Sequence, residues 1–152
     1  MKLLKITKIH KMTKTESKKS STAKNSQKLP AWDLSDFYSS INDSDIAKDL
    51  KKIETGTKKF SEEFTGKIGK LDADELTKAI KKYEKICDLI GKISSYSYLI
   101  YASDLSNHAN VSFYQNISEK LSSSESNLVF FSLELNKISD KKFVSLFKES
   151  AT

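Results

Sequence analysis

The stretch DADELTKAIKKYEKICDLIGKISSYSYLIYA, residues 72–102, decides the fold. Its apolar side chains recur at helical spacing on two stripes, which indicates one long helix. Asp72 is the predicted N-cap, and Asp74 and Glu75 lie in the first turn, where the helix dipole favours acidic groups. The first stripe contains Leu76, Ile80, Tyr83, Cys87 and Ile90, and the second contains Ala79, Ile86, Ile93 and Ile100. We expect a helix with two apolar stripes to pack between neighbours on both sides.

Similar patterns precede and follow this central helix. The preceding pattern predicts a helix that begins near Asp43 or Ser44 and stops at Gly66. The following pattern predicts a third helix over residues 109–136. The apolar stripe of the preceding helix contains Ile46, Leu50, Ile53, Thr57, Phe60 and Phe64. The stripe of the third helix contains Val111, Tyr114, Ile117, Leu121, Ser124, Leu128, Phe131 and Leu135.

A fourth helix is predicted at the end of the sequence, with Ser139 or Asp140 as its cap. Its inward side chains are expected to be Phe143, Leu146 and Phe147. The sequence stops two or three turns into this helix, so the helix is expected to be truncated. The predicted fold class is therefore all-α: an antiparallel bundle of three long helices plus a truncated fourth.

The bundle is preceded by an irregular strap in LPAWDLSDFY, residues 29–38. The only Pro of the chain disfavours helix at the residue before it. The acidic and hydroxyl side chains of this segment can bond to nearby backbone groups. We expect Trp32, Leu34 and Phe37 to pack on the helices, with a short turn at Leu34–Tyr38.

Residues 1–28 form a leader rich in Lys, Ser and Thr, with nine Lys against Glu16. Such a segment cannot bury enough apolar surface to offset its ordering entropy, so the leader is predicted to be disordered. Met12 is an alternative start to Met1. Residues 29–152 are predicted to form one helical domain, incomplete at its carboxyl end.

The basic residues and the apolar runs limit the classes of partner that we expect, and the cysteine content indicates the compartment. All 26 basic residues are Lys, and sequence-specific nucleic-acid recognition usually relies on Arg, so we expect no specific nucleic-acid partner. No apolar run approaches the roughly 18 residues of a membrane span, and regularly spaced Lys interrupt the first twelve residues, so no membrane association is expected. Cys87 is the only cysteine, which fits a reducing cytoplasm.

The residue types that carry catalysis do not cluster in the sequence. Asp104 and His108 could both ligate a metal, but two ligands do not complete a site, and a solvated loop is the expected role. Cys87 lies on an apolar stripe and is expected to be a buried small side chain, not a nucleophile. Neither HExxH nor a Gly-rich phosphate loop is present. The sequence thus predicts no catalytic residues, no metal ligands and no cofactor-binding residues.

Two further groups of side chains have a structural interpretation. Three tyrosines near the end of the central helix could stack on nucleic-acid bases, but packing in the core with hydroxyls at its rim is the stronger expectation. These tyrosines are Tyr96, Tyr98 and Tyr101. Glu62 and Glu63 are expected to lie on a solvated helix face. The basic leader is expected to be a solubilising segment, with nonspecific binding to anionic surfaces as the alternative.

The order of several segments resembles the N-terminal helical domain of oligoendopeptidase F, a zinc metallopeptidase of the thimet oligopeptidase type. The segments are LPAWDLSDFYSSINDSDIAKDL, FSEEFTGKI, ELTKAIKKYEKICDLIGKISSYSYLIYASD and FFSLELNKISD. The resemblance covers residues 29–147, and it rests on order and spacing, since no single segment is chemically distinctive. In the family, a Trp-Asp-Leu stretch similar to Trp32, Asp33 and Leu34 begins the domain after a variable leader.

The resemblance implies a role without catalysis. Family members hold Zn²⁺ with an HExxH helix and a downstream Glu, and the helical domain walls a channel that admits short peptides. No residue of this chain matches the zinc site, so no cofactor is expected in this chain. The preferred hypothesis is a truncated, inactive channel-wall domain. The alternatives are a split peptidase completed by a separate HExxH chain, and a stand-alone helical protein-interaction module.

Overall fold

The computed structural model describes residues 32–149 and the side chains of residues 32–146, all within one compact unit. Five α-helices follow one another in this region: α1 (Ser44–Phe64), α2 (Ala73–Ser103), α3 (His108–Glu125), α4 (Val129–Leu135) and α5 (Asp140–Glu149). Short 3₁₀ turns occupy Ile68–Lys70 and Ser126–Leu128. The described region contains no strand, so the all-α prediction is confirmed. The predicted leader and the side chain of Phe147 lie outside the described region.

The predicted helix ends are confirmed where local side-chain chemistry sets them. Asp43 caps α1 by accepting a 2.9 Å hydrogen bond from the backbone N–H of Asp45. Asp72 and Glu75 form a reciprocal capping box at the start of α2, with distances of 2.8 and 3.2 Å. Gly66 lies two residues after α1 and has a φ of 75°, a left-handed conformation that favours glycine.

The third predicted helix is interrupted, because a 3₁₀ turn separates α3 from α4. The interruption falls at the end of the serine run of residues 122–126. The Ser126 hydroxyl donates a 2.7 Å bond to the Ser123 carbonyl, and the Ser126 N–H is shared between the carbonyls of Ser122 and Ser124. Such local bonds compete with the regular α-helical pattern and tighten the chain. The backbone keeps right-handed helical dihedral angles through the turn, so α4 continues the course of α3.

Contacts between side chains show that α2 runs antiparallel to α1 and to the α3–α4 segment. Asp49 of α1 faces Lys92 of α2, and Glu63, farther along α1, contacts Lys82, which is earlier in α2. In the same way, the end of α2 lies against α3, where the rings of Tyr101 and Tyr114 stack at 4.8 Å. The earlier part of α2 lies against α4, where the rings of Tyr83 and Phe131 stack at 4.5 Å. The predicted antiparallel bundle is therefore confirmed.

The core is apolar and contains many aromatic rings. Its buried hydrophobic side chains are Tyr38, Ile46, Ile53, Phe60, Phe64, Ile68, Leu76, Ala79, Ile90, Ile93, Tyr96, Ile117, Leu121, Leu128, Phe131 and Leu146. Phe60 lies at a junction of α1, α2 and α4, with ring contacts to Tyr83, Phe130 and Phe131 between 5.2 and 5.9 Å. Such aromatic pairs contribute about 0.5–1.5 kcal/mol each beyond the burial of area.

The strap before α1 has the predicted turn, in which the N–H of Phe37 donates to the Leu34 carbonyl at 3.0 Å. The packing expected of Trp32 is wrong, since 64% of its surface is exposed. Tyr38 is the strap residue that enters the core, and its ring lies 5.1 Å from that of Tyr96. Its hydroxyl donates a 3.0 Å hydrogen bond to the buried Asp49 carboxylate of α1.

None of the helices in the described region is both long and apolar enough to cross a membrane. The longest, α2, carries charged residues along its outer face, and its polar and apolar positions alternate with the helical period. This distribution is typical of a helix that packs in a bundle with one face in water.

Candidate functional site

The two possible metal ligands of the sequence, Asp104 and His108, do not form a metal site. Asp104 follows the last residue of α2, and its carboxylate accepts bonds from the Ser106 N–H at 3.0 Å and the Ser106 hydroxyl at 2.6 Å. These bonds lower the pKa of Asp104 and hold its side chain in the α2–α3 loop. His108 begins α3 and is exposed. Among the described residues, no three His, Cys, Asp or Glu side chains converge as metal ligands do, so this pair does not fit a zinc site.

The three tyrosines near the end of α2 have different environments. Tyr96 is buried against the rings of Phe37, Tyr38 and Phe113, as the core interpretation predicts. Tyr101 stacks on Tyr114 of α3, whereas Tyr98 is 54% exposed. Core packing is therefore confirmed for Tyr96 and wrong for Tyr98, which lies on the outer surface of the helix.

Glu62 and Glu63 are both exposed, as predicted. Glu63 also bridges two helices, because its carboxylate lies 2.6 Å from the Lys82 ammonium of α2. With both side chains about half exposed, this ion pair contributes at most about 1 kcal/mol.

A polar cluster built on the buried Tyr38 and Asp49 side chains joins the strap, α1 and α2, and it was not predicted from the sequence. Asp49 accepts hydrogen bonds from the Tyr38 hydroxyl at 3.0 Å and from the Lys52 ammonium at 2.8 Å. The Lys92 ammonium lies 3.7 Å from the same carboxylate and 4.1 Å from the centre of the Tyr38 ring. A sequence signal existed, since Asp49 occurs on the same helix face as Ile46 and Ile53.

The single carboxylate of this cluster is paired with two ammonium groups and a phenol, which argues for a structural role. Burial opposes ionisation of Asp49, but the bonds from Lys52 and Tyr38 and the charge of Lys92 outweigh it and lower the pKa. Burial and the adjacent carboxylate raise the pKa of Tyr38, so the phenol stays protonated as a donor. Each polar atom thus has a partner, and the arrangement fixes the strap on the bundle instead of preparing a reactive group.

A second carboxylate, Glu134 of α4, also has a positioning role. It accepts backbone bonds from Gly66 at 2.7 Å and from Ile68 at 3.2 Å, in the connection between α1 and α2. A carboxylate that satisfies two backbone N–H groups fixes the path of a loop. No sequence pattern indicates this contact, because it spans more than sixty residues.

The candidate site for binding is an open groove between α2 and the α3–α4 segment, here named the α2–α4 groove. Its lining residues are Tyr83, Cys87, Ile90, Gly91, Ser94, Glu125, Leu128, Val129 and Ser132. Its volume is about 500 Å³. The floor is largely apolar, small residues leave room on both walls, and Val129 is 55% exposed at its edge.

Cys87 lies in this groove and is half-buried, so the burial predicted for its side chain is only partial. Partial burial raises the pKa of its thiol, the Tyr83 hydroxyl partly offsets this, and the nearby Asp88, Glu125 and Glu84 raise it further. A nucleophilic cysteine needs the opposite environment, one in which positive charge stabilises the thiolate. The surroundings of Cys87 favour the protonated thiol.

The comparisons with known proteins found no match: no family model, no curated protein and no solved structure corresponds to this chain. The resemblance to oligoendopeptidase F therefore stays a prediction from the order of the sequence segments.

Proposed function

We propose that this chain is the N-terminal, non-catalytic helical domain of an oligoendopeptidase F-like zinc metallopeptidase, a substrate-channel wall without peptidase activity of its own. The order and spacing of the resembling segments carry this proposal. Trp32, Asp33 and Leu34 lie in the strap, and FSEEFTGKI spans the end of α1 and its turn. The segment from Glu75 to Asp104 contains most of α2 and its C-cap. An all-α bundle is the architecture that the resemblance implies.

The proposal assigns the chemistry to a separate domain. Asp104 and His108 are too few to hold a zinc ion, and the Asp104 carboxylate is already bonded to Ser106. The surroundings of Cys87 suppress its thiolate. The residues of this chain would thus contribute shape and surface to a channel for short peptides, while a zinc domain would supply the metal and the general base. A single cysteine favours the cytoplasm as the compartment.

The absence of intrinsic activity is tested with the purified full chain and internally quenched short peptides, with and without added Zn²⁺. We expect no zinc-dependent cleavage above the buffer rate. Cleavage that a chelator abolishes, and that copurifies with the chain through two orthogonal columns, would contradict the proposal.

The family relationship is tested separately, by the nucleotide sequence that follows the Thr152 codon. We expect coding sequence, intact or decayed, that continues the family pattern and includes HExxH. An intact second frame would favour the split peptidase, and the two chains purified together should then show chelator-sensitive cleavage. Unrelated sequence throughout would contradict the family proposal.

The α2–α4 groove favours a second candidate, a stand-alone helical interaction module. The bundle has its own apolar core, and no buried side-chain polar atom in the described region lacks a partner. A module of this kind unfolds cooperatively as a single domain. A single sharp urea transition of the purified chain would support it, and a gradual transition with a high affinity for hydrophobic dyes would contradict it.

A further inference from the structure

The first apolar stripe of α2 is only partly covered by the described residues. Leu76 and Ile90 are buried, but Ile80, Tyr83 and Cys87 between them are half-buried. On the second stripe, Ala79 and Ile93 have no exposed surface, whereas Ile86 and Ile100 are half-buried. The middle of the first stripe borders the open α2–α4 groove, whereas Ile86 in the middle of the second stripe lies beside Gly56 of α1.

The groove has the dimensions of a site for one helix. Its lining residues on α2 extend from Tyr83 to Ser94, which is about 16 Å at 1.5 Å per residue and corresponds to three turns of a docked helix. Gly91 and Ser94 on one wall and Ser132 on the other lack large side chains, so a helix backbone can approach closely. A side chain added at Gly91 meets no atom within 4 Å, which shows that this position opens into free space.

The charge around the groove is negative. Glu125 is the only charged residue among its lining residues, and Glu84 and Asp88 are close enough to act electrostatically on the Cys87 thiol. None of these three carboxylates forms an ion pair with another described residue. Another groove, between α1 and α3, differs in that both signs of charge line it: Lys51, Lys58 and Lys120 together with Glu54 and Glu119. An apolar floor with uncompensated acids complements a ligand that is both apolar and basic.

We propose that the α2–α4 groove binds a basic amphipathic α-helix of a partner protein, which places apolar side chains on the groove floor and Lys or Arg beside Glu84, Asp88 and Glu125. Helix-in-groove recognition of this kind uses anchors at i, i+3 or i+4, and i+7, and three turns supply these positions. The proposal does not depend on the peptidase relationship, because it rests only on the geometry and charge of this groove.

The test uses the full chain and two synthetic 18-residue probes: an amphipathic helix of Leu and Lys, and its counterpart with Glu in place of Lys. Binding is followed by fluorescence anisotropy of the labelled probes at several salt concentrations. We expect saturable one-to-one binding of the Lys probe that weakens with salt, and an affinity for the Glu probe that is lower by about tenfold or more. Equal affinity for the two probes would contradict the charge argument.

Paired variants locate the binding surface. Gly91→Leu fills the groove, and Ser123→Leu places the same side chain in the groove between α1 and α3. Glu125→Lys and Glu119→Lys change the net charge equally on the two sides of α3. We expect Gly91→Leu and Glu125→Lys to weaken the Lys probe by roughly tenfold and fivefold, and their controls to stay within about twofold. Losses in the control variants that match those in the groove variants would overturn the proposal.

A measurement on the unmodified chain covers the case in which a variant does not fold. Cys87 is the only thiol, so its alkylation by iodoacetamide reports on the groove alone. We expect saturating Lys probe to slow alkylation by about fivefold or more, since a bound helix covers the thiol. An unchanged rate would show that the probe binds elsewhere and would contradict the proposal.

Sedimentation at several protein concentrations tests whether a second copy of the chain occupies the groove. A dimer that Gly91→Leu dissociates would identify a second copy as the occupant and overturn the proposal.

Discussion

The two apolar stripes of α2 are equally clear in the sequence, but their environments differ. On the second stripe, Ala79 and Ile93 are completely buried, and the half-buried Ile86 lies beside a glycine of α1. The first stripe borders the α2–α4 groove, where Cys87 and Tyr83 retain exposed surface. The comparison shows that periodicity identifies which positions of a helix are apolar, whereas the arrangement of the other helices decides which of them are covered.

Two tyrosines of α2 provide the largest expected contrast between a covered and an open position. Tyr96→Ala removes a side chain that is 1% exposed and contacts three rings, so we expect a loss of about 3–5 kcal/mol in the free energy of unfolding. Tyr98→Ala removes a side chain that is 54% exposed, and we expect a loss of about 1 kcal/mol or less. Urea denaturation followed by circular dichroism measures both, and equal losses would show that Tyr98 is covered in solution.

A change in the polar cluster around Asp49 is expected to lower the free energy of unfolding by less than Tyr96→Ala does. Asp49→Asn removes the charge that accepts bonds from Tyr38 and Lys52, and we expect a loss of about 1–3 kcal/mol near neutral pH. The control is Asp45→Asn, which breaks an exposed ion pair with Lys48 on the same helix and should cost about 0.5 kcal/mol or less. A cost for Asp45→Asn as large as that for Asp49→Asn would contradict the assignment of a special role to Asp49.

The Asp49 carboxylate of the same cluster is expected to make the free energy of unfolding depend on pH in a defined direction. The pKa of Asp49 is lowered in the folded state, so its stabilisation is complete above the unfolded pKa of about 3.9. The contribution is lost as the pH falls from that value through the lower folded pKa. We therefore expect the difference in free energy of unfolding between the original chain and Asp49→Asn to be constant from about pH 5 to pH 7 and to shrink below pH 4. A difference that grows on acidification would reverse the sign and exclude this explanation.

Two glycines provide the smallest contrast, with opposite signs. Gly91→Ala adds a methyl group in the open groove and improves helix propensity, so we expect a gain of about 0.5–1 kcal/mol. Gly66→Ala places a side chain at a φ of 75°, and we expect a loss of about 1 kcal/mol. Thermal denaturation measures both changes. A stabilising Gly66→Ala would show that the turn after α1 does not adopt this conformation.

The features that were predictable from the sequence depend on local chemistry. Asp43, Asp72 and Gly66 set helix ends through side chains and backbone within a few residues, and the structure confirms them. The interruption before α4 was not predicted, although the serines that cause it were visible, because periodicity does not reveal a competing hydrogen bond. The prediction that Trp32 packs on the helices was wrong, because an irregular strap has no repeating pattern that could indicate which side chains face inward.

The polar contacts between distant segments could not be predicted. Glu134 bonds to Gly66, and Asn127 donates to the hydroxyl of the buried Thr57 at 3.4 Å, across sequence separations of 68 and 70 residues. Such partners become neighbours only after the helices have packed. The acids around the groove are likewise separate in sequence, since Glu125 comes from α3 and Glu84 and Asp88 come from α2. The sequence therefore indicates the helices well and the candidate site poorly.

The contrast between the covered and the open stripe is tested most directly by urea denaturation of Ile93→Ala and Cys87→Ala, measured side by side. We expect Ile93→Ala to lower the free energy of unfolding by about 2–5 kcal/mol, because it leaves a cavity at a position without exposed surface. We expect Cys87→Ala to lower it by about 1 kcal/mol or less, because solvent already reaches this side chain. Equal losses in the two variants would contradict the account, since they would mean that the α2–α4 groove is filled in the free chain.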